Sequence, residues 1–276
     1  MFTQEKKTAL VTGASSGMGK AIARRLIDDG YQVYVAARNL NKMTDLAELG
    51  AQPLRMDISC DEEIISGVNT ILSQTGGVDV LVNNAGFGLY GPVEEVSIEE
   101  ARYQFEVNLF GAARLTQLLL PSMRVRGNGR IINITSMGGK MYSILGAWYH
   151  ATKHALEGWS DCLRLEVAEF GIKVVIVEPG VIETGFGDAA SETIVKRSAS
   201  GPYGHLVQMV AKAIKKTYGH GTGSDPTVVA NVVSLAVKSD NPKTRYAVGK
   251  FAKMLICLRV WLGDRLFDRI ILSQMR

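Results

Sequence analysis

Thr12-Gly13-Ala14-Ser15-Ser16-Gly17-Met18-Gly19 is the stretch on which the fold turns. A short apolar run, Ala9 to Val11, leads into it, and the helical spacing of Ile22, Leu26 and Ile27 follows at once. Glycines between a strand and a helix allow a tight turn, and they let a helix N-terminus with free N–H groups approach a pyrophosphate. Glycine also marks ordinary strand-to-helix turns, so the motif needs its context, and here the strand before it and the helix after it supply that. Gly13, Gly17 and Gly19 are the first candidate nucleotide-binding residues, with Ser15, Ser16 and Met18 between them.

Working outward, further short β-branched runs occur at residues 33–35, 78–82, 130–134 and 174–177, and segments with helical spacing lie between them at 17–29, 41–49, 61–74, 98–125, 147–170 and 227–239. Apolar runs of this length read as strands buried on both faces, and intervening helices make right-handed crossovers and a parallel sheet. The predicted architecture is α/β, a doubly wound parallel sheet of about seven strands with helices on both faces, the Rossmann arrangement, in one domain. Residues 185–204, rich in Gly, Ala and Ser, read as a mobile substrate loop within a catalytic unit spanning 1–249. Residues 250–276 read as a basic amphipathic extension.

The 276 residues suffice for one large core, and 46 % hydrophobic with 21 % charged residues argues against a disordered chain or a coiled coil. A net charge of +4 gives no general case for nucleic acid, which needs a concentrated basic face. Much of the excess sits in the extension, where Lys250, Lys253, Arg259, Arg265, Arg269 and Arg276 face only Asp264 and Asp268. Cys60, Cys162 and Cys257 are widely separated and show no metal or dithiol spacing, which fits a reducing, cytoplasmic setting. No export signal and no run of roughly 20 apolar residues is expected to cross a membrane.

The end of the second strand selects the dinucleotide. An acidic residue about 20 positions past the glycines would hold the ribose 2′-hydroxyl of NAD. This chain has Ala37 and then Arg38. A guanidinium with no carboxylate beside it favours the 2′-phosphate of NADP(H), and Ser15 or Ser16 could add a hydrogen bond. Asp57, followed by Ile58, would accept from the adenine amino group or cap the next helix.

The ordered set of Thr12 to Gly19, Asp57, Asn83-Asn84-Ala85-Gly86, Asn108, Ser136, Tyr149 with Lys153, and Pro179-Gly180 followed by Thr184 resembles the short-chain dehydrogenase/reductase family. The resemblance runs from Thr12 to Thr184, in the branch with a T-G-x-x-x-G-x-G turn and a Y-x-x-x-K site. Phe105-Glu106-Val107-Asn108 and Trp148-Tyr149-His150 look most like members related to 17β-hydroxysteroid and retinol dehydrogenases. The resemblance implies hydride transfer between nicotinamide and a carbonyl or alcohol, with Tyr149 as general acid/base. It further implies that Lys153 holds the nicotinamide ribose, Ser136 bonds the substrate oxygen, and Asn108 positions a water for a proton relay. Asn84, Ala85 and Gly86 would support the cofactor, while Pro179, Gly180, Ile182 and Thr184 would line its nicotinamide side. A homodimer or homotetramer, formed through the helices at 98–125 and 147–170, is the implied assembly.

Tyr149 and Lys153 are four residues apart and so share a helix face. Bringing a phenol from a pKa near 10 to about 7 takes on the order of 4 kcal/mol. An ammonium at about 4 Å supplies roughly that at an effective dielectric near 20, so Lys153 is expected to lower the Tyr149 pKa.

Other readings are weaker. His150 and His154 have zinc spacing on a helix, yet no Glu lies between them and no third ligand is evident, so no metal is expected. Ser136, in Ile134-Thr135-Ser136-Met137-Gly138, lacks the preceding glycine of a hydrolase elbow. Phe87, Leu89, Met137, Tyr142, Leu145, Trp148 and Phe186 predict a mainly apolar pocket. From Phe251 to Met275, Met254, Leu255, Leu258, Leu262, Leu266 and Ile270 at helical spacing suit a helix packed on the domain or a partner; the alternative is an interfacial membrane helix. A non-catalytic NADP-binding sensor on the same fold is the competing function class.

Overall fold

The computed structural model describes residues 6–219 and 221–273; Met275 and Arg276, at the end of the expected tail, lie outside the described residues. The strands are Thr8–Thr12 (β1), Gln32–Ala37 (β2), Gln52–Arg55 (β3), Val80–Asn83 (β4), Gly129–Ile134 (β5), Ile172–Pro179 (β6) and Arg245–Val248 (β7). The helices are Gly17–Asp28 (α1), Thr44–Glu48 (α2), Asp61–Thr75 (α3), Ile98–Phe105 (α4), Gly111–Arg126 (α5), Ala147–Glu166 (α6), Phe186–Ser198 (α7), Gly204–Tyr218 (α8), Thr227–Lys238 (α9) and Ala252–Ser273 (α10). All strand pairs are parallel, in the order β3-β2-β1-β4-β5-β6-β7. The direction of winding reverses between β1 and β4, and the crevice at their carboxyl ends is where such sheets take ligands.

Period-two alternation divides each central strand between two cores. Val11, Val33, Val35, Val82, Ile132 and Val175 pack with Ile22 and Leu26 of α1 and Val229 and Val233 of α9. Leu10, Tyr34, Leu81, Ile131 and Val174 face Leu115, Leu119 and Met123 of α5 and Leu163 of α6. A strand buried on both sides has no polar face, which is why these five runs stand out in the sequence. The edge strands β3 and β7 have no fully buried residue, and their residues are correspondingly less apolar.

Several expectations change. Residues 185–204 are not a loop: α7 fills most of the segment and α8 begins at its end. Ala190 and Ile194 of α7 pack on Val207, Val210 and Ala211 of α8, so small residues here mark close helix contact instead of mobility. The expected helix 98–125 is interrupted by a π-turn at Glu106–Phe110, and the segment 41–49 opens with a 3-10 turn at Leu40–Met43. The helix expected to reach residue 170 ends at Glu166, with a separate 3-10 turn at Ala168–Phe170. In α10 the helix breaks at Gly263, whose φ of 67° is left-handed.

Candidate active site

At the turn after β1, Gly13 has φ +66° and Gly17 φ +52°, conformations that disfavour any side chain. A Cβ on Gly19 would collide with the Gly13 carbonyl and the Asn84 amide, so this glycine lets α1 sit directly under the turn. Ser16 is the N-cap of α1 but makes no side-chain cap, which leaves the first-turn N–H groups available. Thr12 ties this turn to the loop after β4: its Oγ1 accepts from the Asn84 and Ala85 N–H groups, both at 3.0 Å, while Asn84 Nδ2 donates to the Thr12 carbonyl at 2.9 Å. Arg38 is exposed just past β2 and points a guanidinium nitrogen at the Tyr103 hydroxyl, 3.4 Å away. Asp57 does not cap α3, whose N-cap is Cys60; its Oδ1 accepts from the Ser59 N–H and hydroxyl. Burial opposes ionisation of Asp57, yet these Ser59 bonds and the charges of Arg38 and Arg55 hold it below the usual carboxylate range.

The catalytic candidates gather at the carboxyl ends of β4 and β5. Ser136 follows β5 and its Oγ accepts from the Gly138 N–H at 3.0 Å. Tyr149 and Lys153 are both buried on α6. The Lys153 ammonium donates to the Ile134 carbonyl at 3.0 Å, and a Cβ built on Gly86 would lie 3.7 Å from that nitrogen and 3.1 Å from Asn108 Oδ1. Asn108 lies in the π-turn with both ends of its amide engaged. Oδ1 accepts from the Phe87 N–H at 3.0 Å, and Nδ2 donates to the Phe87 carbonyl at 2.9 Å and to Thr152 Oγ1 at 3.0 Å. Its side chain thus clamps the β4 loop, with both amide N–H groups used.

The electrostatics differ from the sequence expectation. Burial pushes the Tyr149 phenol up to about 12, against the Ser136 hydroxyl, which works the other way. The cause is visible in its neighbours: Tyr90 stacks on the ring at 5.6 Å and Phe186 lies 5.5 Å away. Burial also brings Lys153 down to about 8, with Glu157 pulling it back up. In this arrangement the ammonium faces a backbone carbonyl, and desolvation sets the direction for the phenol.

His150 supports the loop in front of Tyr149. Its Nδ1 donates to the Gly138 carbonyl at 2.9 Å and its Nε2 accepts from the Ser143 N–H at 3.0 Å, which fixes a neutral tautomer. Leu145 in that loop has φ 62°, an unfavourable value for leucine, and its carbonyl accepts from the Gly91 N–H at 2.8 Å. Burial pushes the His150 imidazole down to about 4. The unfolded chain therefore binds the extra proton first as pH falls. The stability His150 contributes is full above about pH 6.5 and is lost toward pH 4, a change of about 3 kcal/mol. Glu178, pushed up to about 7 by burial and Glu157, acts oppositely: its contribution is full below its ordinary pKa near 4.5 and is lost as pH rises to about 7. The stability advantage of the wild type over His150→Gln should therefore grow between about pH 4 and 6.5 in urea unfolding, and a pH-independent difference rejects the neutral-ring assignment.

The pattern of the family described as short chain dehydrogenase matches residues 7–194. The chain belongs to the short-chain dehydrogenase/reductase family. Retinol dehydrogenase 8 of Bos taurus is 32 % identical over 267 residues, 92 % of this chain and 85 % of that protein. Among solved structures, a short-chain dehydrogenase from Streptomyces avermitilis is 34 % identical with a TM-score of 0.79, covering 97 % of this chain and 98 % of its own. The closed form of serine dehydrogenase complexed with NADP+ is 26 % identical with a TM-score of 0.76, covering 88 % and 94 %. This short-chain dehydrogenase/reductase is an oxidoreductase, and a pyridine nucleotide is its class of cofactor.

The residues present fit such a cofactor. Lys153 carries three N–H donors, is buried, and has one acceptor, the Ile134 carbonyl, among the described residues. The uncapped start of α1 offers further donors, and Asn84 Oδ1 is a buried acceptor without a partner among the described residues. Thr184 sits against Gly17, its Cγ2 3.0 Å from a Cβ built there. Ile182 is in the core, and Gly180 packs against the Lys250 carbonyl and the Ala252 N–H, so these two belong to a seam with β7 and α10. Of the expected pocket residues, Tyr142 and Leu145 line a cleft of about 700 Å³ together with Pro92, Val93, His150 and Tyr203. Phe186 packs on Tyr149, Phe87 packs on Tyr103 at 5.7 Å, and Met137 packs toward α10.

Sequence reasoning missed Tyr90, the His150 support and a carboxylate beneath the site. Glu157, buried one helical turn after Lys153, accepts from Thr135 Oγ1 at 2.7 Å and pairs with Lys140 and with Arg245 of β7, both at 3.1 Å. The four-residue spacing of Lys153 and Glu157 was the one available signal for it.

Proposed function

We propose that this protein is an NADP(H)-dependent oxidoreductase that reduces a carbonyl of a lipophilic substrate, or oxidises the corresponding alcohol, with Tyr149 as general acid/base. One observation carries the reading: a buried phenol beside Ser136, on the helix face that holds a buried ammonium with donors to spare. The nucleotide, when bound, supplies the hydride. The protein's part is orientation and proton transfer. Gly13, Ser15, Ser16, Gly17, Met18 and Gly19 receive the pyrophosphate through backbone N–H groups, and Lys153 turns its remaining donors to the ribose hydroxyls. Asp57 and Ile58 flank the adenine side, Asn84, Ala85 and Gly86 back the cofactor, and Pro179 and Thr184 close its nicotinamide end, with Gly180 and Ile182 holding that segment against β7 and α10. Ser136 donates to the substrate oxygen as charge develops there. A phenol held protonated by burial is ready to act as an acid, which favours the reductive direction near neutrality.

Retinol dehydrogenase 8, with a lipophilic substrate in its name, and the aromatic surroundings of Tyr149 support an apolar substrate. Scanning NADPH and NADH oxidation against steroids, retinoids, aldehydes and small ketones tests the class; no turnover with any carbonyl would favour the sensor reading. Arg38 is the proposed 2′-phosphate ligand. Arg38→Asp should lower kcat/KM for NADPH by roughly 10- to 100-fold, the worth of a charge-assisted contact, and spare NADH. Equal losses for both nucleotides would remove Arg38 from that role. A cytoplasmic setting agrees with three free thiols, and a homo-oligomer agrees with exposed Phe110, Val125 and Leu165 on or beside α5 and α6.

A further inference from the structure

Helix α10 has two apolar faces, and only one of them is covered. Inward, Leu255, Leu258, Phe267 and Ile271 pack on Met137, Met141, Tyr142 and Ile144, and Tyr142 meets Phe267 edge-on at 5.2 Å. Outward, Met254, Val260, Trp261, Leu266 and Leu272 are exposed, Val260 at 68 % and Trp261 at 84 %. Met254, Cys257 and Trp261 recur at helical spacing, with Val260 beside them, and form one stripe. An indole is among the costliest side chains to leave in water, and its apolar body with a polar N–H suits a wet–apolar boundary.

The charges around the stripe are predominantly basic. Lys253, Arg265 and Arg269 are exposed, and none of them forms an ion pair among the described residues. The two acidic groups of the helix are drawn to other partners: Asp264 pairs with Arg259 at 2.7 Å, and Asp268 accepts from the Tyr142 hydroxyl at 2.8 Å. Beside the first turn, a cleft of about 630 Å³ is lined in part by Lys243, Phe251, Lys253 and Met254. Among the described residues no helix is long and apolar enough to cross a membrane, so any lipid contact is along the surface.

We propose that the exposed side of α10 docks this protein on an anionic lipid bilayer, with Trp261 and Val260, before the break at Gly263, entering the interfacial zone and the exposed Lys253, Arg265 and Arg269 on either side of it meeting lipid phosphates and carboxylates. Charge complementarity selects this occupant. A second copy of the same face would set three unpaired cations against a surface whose one unpaired acid among the described residues is Asp268, leaving an excess of like charge, and a nucleic acid would leave the apolar stripe without a partner. A bilayer with negative headgroups satisfies both parts at once. The docking does not depend on the hydride-transfer reading and is tested without turnover.

Co-sedimentation of the full chain with phosphatidylcholine vesicles, with and without phosphatidylserine, is the experiment. Wild type should pellet with the phosphatidylserine vesicles, release at high salt, and show a blue shift of tryptophan emission that Trp261→Phe abolishes. Arg265→Ala with Arg269→Ala should weaken binding roughly 30-fold, and both variants should keep the wild-type melting temperature. Equal pelleting of wild type and the double variant overturns the proposal. So does an absence of vesicle binding together with a concentration-dependent dimer that Trp261→Ser disperses, which would give the stripe to a second copy.

Discussion

Tyr149→Phe should cut turnover by roughly 1,000-fold or more, within the range for removing a general acid, while the dissociation constant for NADPH changes by less than about threefold. The ring contacts explain the separation. Phenylalanine keeps the stack on Tyr90 and the contact with Phe186, so the fold and the nucleotide cleft lose nothing but one hydroxyl. Ser136 retains its bond from the Gly138 N–H. Single-turnover reduction and fluorescence titration of NADPH, run side by side, provide the two readings; normal turnover in the variant ends the Tyr149 assignment. The wild-type pH profile follows from the same site. Burial brings Lys153 down to about 8, so the ribose contact proposed for it is full below that pH and fades above it, and kcat/KM for reduction should fall on the alkaline side. In the oxidative direction a phenol pushed up to about 12 must first lose its proton, and the rate should climb with pH until the loss of Lys153 charge opposes it.

Gly19→Val should weaken NADPH binding by roughly 10- to 100-fold, the equivalent of the overpacking strain expected where backbone cannot give way. The first atom a side chain would meet here is the Gly13 carbonyl, and the second is the Asn84 amide that ties the two loops together. Pushing α1 outward moves its N–H groups from the position proposed for the pyrophosphate and opens the Thr12–Asn84 clasp. Calorimetric titration of a variant shown to be folded by circular dichroism decides the matter: unchanged affinity would mean that the helix start does not approach the nucleotide.

The contrast between what could and could not be read in the chain has a physical pattern. That the glycine turn, Ser136, Tyr149 and Lys153 come together was legible because few folds other than this one demand those residue types in that order. The central strands were legible because burial on both faces leaves an unbroken apolar run. The half-exposed edge strands β3 and β7 carry no such run. Helix α7 was hidden because Ala190 and Ser191 are small for the sake of packing, and small residues look like a loop. The π-turn at Glu106–Phe110 adds a residue to a helical register without changing composition. Tyr90 and His150 act through partners distant in sequence or through backbone atoms, and no local pattern announces either.

Glu157 sits where several tensions meet. One carboxylate is shared by Thr135, the residue before Ser136, by Lys140, and by Arg245 on the outermost strand, while Glu178 lies 3.7 Å from that same guanidinium. The rim of the sheet is therefore not mechanically remote from its reactive end. Exchanging Arg245 for a neutral residue would leave a crowd of acids to repel one another, and the strand tip carrying Ser136 would register the disturbance across the width of α6. A substitution at that margin is felt at the end of β5, two strands away.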